Sequence, residues 1–174
     1  MSGTGVLNPS PGAAKSKREF FRQHVIMTNG SYTIGRDNTD LSAELDWNET
    51  DELNVLGEMT SSNVLTAVAT DVDTYFVRKD DPFGLFLLDL YSRRADLDEV
   101  RVKYGEVMMW IDTTTTPPDV EIIFANTQDA VVLIQSIGGE STDGVNIPFT
   151  MKKIGKPTEA NYNPTTEAYT PKSP

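Results

Sequence analysis

Cysteine is absent from the 174 residues, which excludes disulfides, thiolate metal ligands and cysteine nucleophiles. Histidine occurs once, at His24. With no Gly-x-Ser-x-Gly elbow either, nothing points to a hydrolase triad. No stretch approaches the about 20 apolar residues that cross a bilayer, and the first residues lack the apolar core of a signal peptide. A chain that stays out of the membrane and is made in a cytoplasm is expected, so the sequons at Asn29 and Asn48 carry no weight. Hydrophobic residues make up 38%, low for a compact domain but too high for a disordered chain.

Cations are missing from one long stretch. From Asp37 to Val77 there is no lysine or arginine, and there are ten carboxylates: Asp37, Asp40, Glu44, Asp46, Glu49, Asp51, Glu52, Glu58, Asp71 and Asp73. The formal net charge is −11, so this segment supplies nearly all of it. A local field of one sign repels phosphates and attracts cations or basic partners. The low count of Lys and Arg argues against a duplex-binding module, which needs them to displace counterions.

What is present reads mainly as strand. In 41–47, Leu41, Ala43, Leu45 and Trp47 alternate with Ser42, Glu44 and Asp46, giving one dry and one acidic face. A turn at 48–51 and a further strand over 52–56 are expected next, then an extended strand over 63–77 rich in β-branched residues. Residues 100–112 form another, with Gly105 as a bulge or bend. Two more are expected over 120–126 and 130–137. Over 145–154, Val145, Ile147, Phe149 and Met151 share a face, and Pro148 marks an edge or bulge. One helix stands out: Asp81 caps it, Pro82 opens it, Phe83, Phe86, Leu87 and Leu90 recur at helical spacing, and Arg93 and Arg94 sit in its last turn. The expected fold is mainly β, a β-sandwich or barrel with one covering α-helix. Composition divides the chain into an N-terminal arm (1–17), a β-domain (18–155) and an extended C-terminal arm (156–174).

Candidate chemistry is thin. Gly30 to Gly35 has P-loop glycine spacing, but Arg36 and Asp37 follow where Lys and Ser or Thr are needed, so these glycines read as turn formers. Glu44 and Asp46 lie two apart on a strand, roughly 7 Å, within the range of glycosidase carboxylate pairs. No surrounding apolar pocket is evident to raise one pKa. Residues 37–52 are dense in oxygen ligands but lack the EF-hand glycine and terminal glutamate at the right offsets. The expectation is no catalytic residue, no metal site, no cofactor, and no enzyme.

Several strings resemble the major tail tube proteins of long-tailed bacteriophages, a fold shared with secretion-system tube proteins. "YTIGRDNTDLSAELDWNETDELNVLGE" is similar to the early part of that family, and "GEMTSSN" then leads to a second long strand, "VLTAVATDV". "YFVRKDDPFGLFLLDL" matches the family's helix after an extended segment, and "AVVLIQSIGGESTDGVNIPFTMKKIGKPTEANY" its closing hairpin. The resemblance covers roughly residues 25–170 and lies in pattern, not in an invariant motif. It implies homohexameric rings that stack into a hollow tube in the virion tail, assembled in the host cytoplasm. The implied partners are the chain itself, a tape measure protein and tail-tip and terminator proteins. DNA would pass without specific binding and without membrane insertion. It also implies a ring-stacking loop at Gly57, Glu58, Met59, Thr60, Ser61, Ser62 and Asn63. Glu44 and Asp46 become candidates for a negatively charged lumen, since such a wall lets a polyanion slide. A receptor-binding or head-decoration β-module is the alternative.

Overall fold

The structure, a computed structural model, describes residues 17, 20–38, 41–53, 59–112, 114–139 and 144–172, without the side chains of 50–53, 59–63 and 97. It is mainly β with one α-helix among the described residues, as the patterning indicates. The strands are β1 (Phe21–Met27), β2 (Gly30–Thr33), β3 (Ala43–Leu53), β4 (Met59–Val72), β5 (Arg101–Asp112), β6 (Asp119–Ile134), β7 (Phe149–Asn163) and β8 (Ala168–Pro171). The helix α1 spans Pro82–Arg93. Every pairing is antiparallel, in the order β2-β1-β5-β6-β7-β4-β3, and β8 pairs with β7 off this path.

One face of the sheet holds the main core. Val25, Val72, Tyr104, Ala130, Val132, Phe149 and Met151 are buried with Phe83 and Leu87 of α1. Tyr75, Phe83 and Phe149 form an edge-to-face triangle with centroids 5.4 to 5.8 Å apart, each contact stabilising by about 0.5–1.5 kcal/mol beyond its buried area. The helix begins as its sequence dictates. Asp81 Oδ1 accepts from the Phe83 N–H at 3.1 Å, Pro82 occupies the first turn, and Phe83, Leu87 and Leu90 are buried. Arg93 lies in the last turn, and Arg94 is the left-handed C-cap. The segment entering α1 is pinned from two sides. Asp37 bonds Arg78 and the Phe76 N–H, Asn38 bonds the backbone of Thr74 through both its Oδ1 and Nδ2, and Asn146 Oδ1 accepts from the Tyr75 N–H.

The opposite face carries a smaller core. Phe20, Val107, Met109, Ala125 and Tyr162 are buried there. The end of β7 and β8 cover it as a strap, with Ala160 and Tyr162 buried and Tyr169 half-buried. Within the stretch read as an extended C-terminal arm, 156–174, residues 156–163 continue β7 and 168–171 are β8. Composition describes only the polar surface of that hairpin, whereas two tyrosines hold its inner side.

Four expectations change. Residues 48–51 continue β3 instead of turning, because Asn48 to Asp51 pair with Val64 to Ser61. The two strands expected over 120–137 are one strand, β6, which absorbs a register shift between Thr127 and Asp129. Gly105 is neither bulge nor bend. It pairs regularly with His24 and Thr127, and the shift in β5 falls at Met108/Met109. A Cβ on Gly105 would lie 2.7 Å from the Tyr169 ring, so glycine is there to let the strap approach. Val145 is exposed, although Ile147, Phe149 and Met151 are fully buried. Most of the N-terminal segment 1–17 lies outside the described residues.

The strap predicts a matched pair of variants. Gly105→Ala should destabilise the protein by about 1–3 kcal/mol through overpacking, and Tyr169→Ala should remove most of that increment. Urea unfolding of the two single variants and the double variant measures this. Simple additivity would show that Tyr169 is not what excludes a side chain at 105.

Candidate functional site

The feature that the fold leaves without an internal purpose is the β3–β4 hairpin. Among the described residues β3 pairs only with β4, and β4 pairs with β7 only from Ala69↔Lys152 to Val72↔Phe149. Residues 45–53 and 59–68 therefore run on as a two-stranded ribbon with no third strand at either edge among the described residues. The register sets its faces. Ala43 opposes Thr70 and Leu45 opposes Val68 on the side that continues the core, while Glu44 opposes Ala69 and Asp46 opposes Ala67 on the other. The apolar and acidic alternation is thus present, with a bulge between Asp46 and Trp47. The dry face is not dry in the single chain: Leu45 is 54% exposed, Trp47 52% and Leu65 40%. Exposed apolar groups in a row beyond a core, beside open strand edges, mark a surface that associates.

Glu44 and Asp46 are both exposed and share the outer side of the ribbon. The expected field of one sign is confined to that ribbon. Following the register across the sheet, Glu44 leads through Ala69 to Lys152, then through Val131 to Arg101. Lys103, paired to Asp129 at 2.9 Å, lies on the same face. The exposed face is acidic at the β3 edge, while toward β5 its cations are matched, Lys103 by Asp129 and Arg101 by Asp98.

The ten carboxylates separate into roles. Asp37 is structural, and the Arg78 guanidinium at 2.6 Å holds its carboxyl below the usual carboxylate range. Asp71 Oδ1 accepts from Thr150 Oγ1 at 2.5 Å. Glu44, Asp46, Glu49 and Asp73 are exposed. Asp40 and Glu58, and the side chains of Asp51 and Glu52, lie outside the described residues. So does the stacking loop in part: Gly57 and Glu58 are outside, whereas Met59, Thr60, Ser61, Ser62 and Asn63 are strand residues of β4 paired with β3. The hairpin is longer than the sequence pattern indicates, and its connection shrinks to 54–58.

Sequence reasoning missed the polar groups inside the molecule. On the core side, Lys153 Nζ sits 3.0 Å from Glu106 Oε2 and 4.4 Å from the Tyr104 ring centroid, and Tyr104 Oη reaches the same carboxylate at 3.2 Å. Lys153 also lines a cleft of about 280 Å³ where β7 parts from β4, against Leu65 to Val68. The string "MKKIGK" gives no sign that its second lysine is buried, because alternation with Met151 is the only clue. Of the two glycines read as turn formers, Gly30 is the first residue of β2, with φ +145, and Gly35 follows that strand with φ +84.

His24 lies wholly under the strap. Its Nδ1 is hydrogen-bonded to the Tyr169 hydroxyl at 2.8 Å, and its ring packs edge-on against Tyr169 and tilted against Tyr162. Its Nε2 has no hydrogen-bond partner. Burial, and then the Arg22 charge, lower its pKa to about 4. Burial raises the Tyr169 hydroxyl, as does its neighbour Tyr162. A histidine in this setting is packing and strap anchor, without access to a substrate. Among the described residues no group of three or more His, Asp and Glu side chains is placed to hold a metal, and no helix is long and apolar enough to cross a membrane. Comparison with family models and with curated proteins finds no match.

The buried imidazole gives a pH prediction. The native state disfavours the proton that the unfolded chain binds below pH 6.5, so stability should fall as pH drops from about 6.5 toward about 4, by up to about 3 kcal/mol. Urea midpoints between pH 7 and pH 5 should show this slope, and His24→Gln should flatten it. Equal slopes in both proteins would contradict the placement of His24.

Proposed function

We propose that the chain is a structural subunit that assembles through its β3–β4 ribbon, as the tail tube proteins that it resembles do. In that reading, rings of six stack into a hollow tube of a virion tail. The tape measure protein occupies the tube, tail-tip and terminator proteins bound it, and DNA slides through. The role is structural, not catalytic.

The observation that carries the reading is the ribbon. A two-stranded hairpin is marginal on its own in water. This one exposes Leu45, Trp47 and Leu65 on the side continuous with the core and has no third strand along either edge among the described residues. Covering that face and those edges with other copies supplies what the single chain lacks. The opposite side, with Glu44 and Asp46, is then free to face a channel. Its carboxylates would repel a polyanion that Lys152, farther along the same face, would attract. A wall of mixed sign grips DNA less than a basic one.

Electron microscopy of the concentrated purified protein tests the reading, with rings or tubes around a central channel expected. Dispersed monomers or closed trimers would favour the receptor-binding or decoration module instead. Changing Glu44→Lys together with Asp46→Lys should leave folding and tube formation intact but slow DNA ejection from assembled particles. Normal ejection would remove these two side chains from the lumenal field.

A further inference from the structure

The two ends of the sheet differ. Strand registers place the β3–β4 hairpin connection and the β5–β6 connection at one end, and the starts of β3, β5 and β7 with the ends of β4 and β6 at the other. At this second end lies a groove of about 390 Å³ between the C-terminal turn of α1 and the last residues of β6. Leu90, Val100 and Ile134 line it on the side of the sheet that α1 covers, together with Tyr91 and Arg94, while Leu133 at its margin faces the other side with Thr150. Leu133 is 40% exposed. β5 stops pairing at Arg101↔Val131, so beyond Val131 the edge of β6 on this side has no strand partner among the described residues.

The charge at the groove is specific. Arg93 is held by Asp89 and Glu99, and Arg101 by Asp98. Arg94 stacks over the Tyr91 ring at 4.3 Å and its Nη1 donates to the Tyr91 carbonyl at 3.3 Å, with no carboxylate paired to it among the described residues. In a chain of net charge −11, an arginine pre-ordered on an aromatic ring beside an apolar groove is built to meet a carboxylate.

The ribbon offers the complement. Glu49 follows Trp47 by two residues and falls on the same side by the strand period, so an acid stands next to the exposed tryptophan. We infer that the groove at the C-terminal end of α1 seats the β3–β4 ribbon of a second copy, with Trp47 and Leu65 against Ile134 and Val100 and Glu49 against Arg94. Because ribbon and groove lie at opposite ends of the strands, each copy receives one neighbour and is received by another. Such a heterologous contact does not close on a pair, and it propagates along the strand direction. The inference rests on the assembling-subunit reading and names the surface that receives the ribbon.

A charge swap tests it in the full chain. Arg94→Glu and Glu49→Arg should each raise the concentration at which the protein assembles by about tenfold, by placing like charges together. The double variant should recover most of that loss, as read by light scattering and electron microscopy. All three should keep wild-type circular dichroism and urea midpoints, since both side chains are exposed. Val100→Glu should block growth while leaving its own ribbon able to cap wild-type assemblies. Unchanged assembly of the single variants, or no recovery in the double, would overturn the groove assignment while the assembling reading stood. A wild-type chain that never assembles would sink both.

Discussion

Four residue pairs, Ala69 to Val72 of β4 against Lys152 to Phe149 of β7, join the β3–β4 hairpin to the remaining sheet. They end because β7 has a second obligation. Past Lys152 it stays with β6 as far as Asn126↔Glu159, and it then leaves to carry Tyr162 over the other face, where β8 pairs with it. Gly155, with φ +72, and the shift between Thr127 and Asp129 accommodate that change of course. One strand cannot both flank β4 along its whole length and strap the opposite face. The strap wins, since it buries Tyr162 and His24, and the ribbon is left beyond the core.

The electrostatics follow from the same division. Where the chain is packed, opposite charges are matched at short range: Glu106 with Lys153 in the interior, Asp37 with Arg78 at the entry to α1. The buried pair holds its place through its neighbours. Removing either partner would strand a charge, a loss of about 3–5 kcal/mol in such settings. Along the ribbon, Glu44, Asp46 and Glu49 have no cationic partner among the described residues, in a segment whose sequence has no lysine or arginine at all. Self-repulsion there does not favour a compact single chain. It becomes tolerable when the acids face solvent or a channel and the apolar side is covered.

How much of this was legible in the sequence depends on the range of the signal. The cap of α1 was legible because Asp81, Pro82 and Phe83 act within one turn. The alternation of Leu45 and Trp47 with Glu44 and Asp46 was legible as two faces, but burial of the apolar face was not, because alternation cannot say whether a third layer covers it. The length of β3 was missed since polar residues at 48–51 look like a turn unless their partners at 61–64 are known. The C-terminal strap was missed for the converse reason: Tyr162 and Tyr169 are few among prolines and threonines, yet they meet His24 and Gly105 from more than 50 residues away. No local pattern reports such contacts. The groove beside the end of α1 was invisible altogether, being made by a helix end, a short turn and a strand edge.

The central claim is that the ribbon depends on covering by other copies. Hydrogen exchange of the dispersed and assembled protein tests it most directly. In dispersed protein, amides of β3 and of β4 up to Val68 should exchange far faster than those of β5 and β6, with protection rising on assembly. Protection of the ribbon equal to that of β5 in the dispersed chain, unchanged on assembly, would contradict the account.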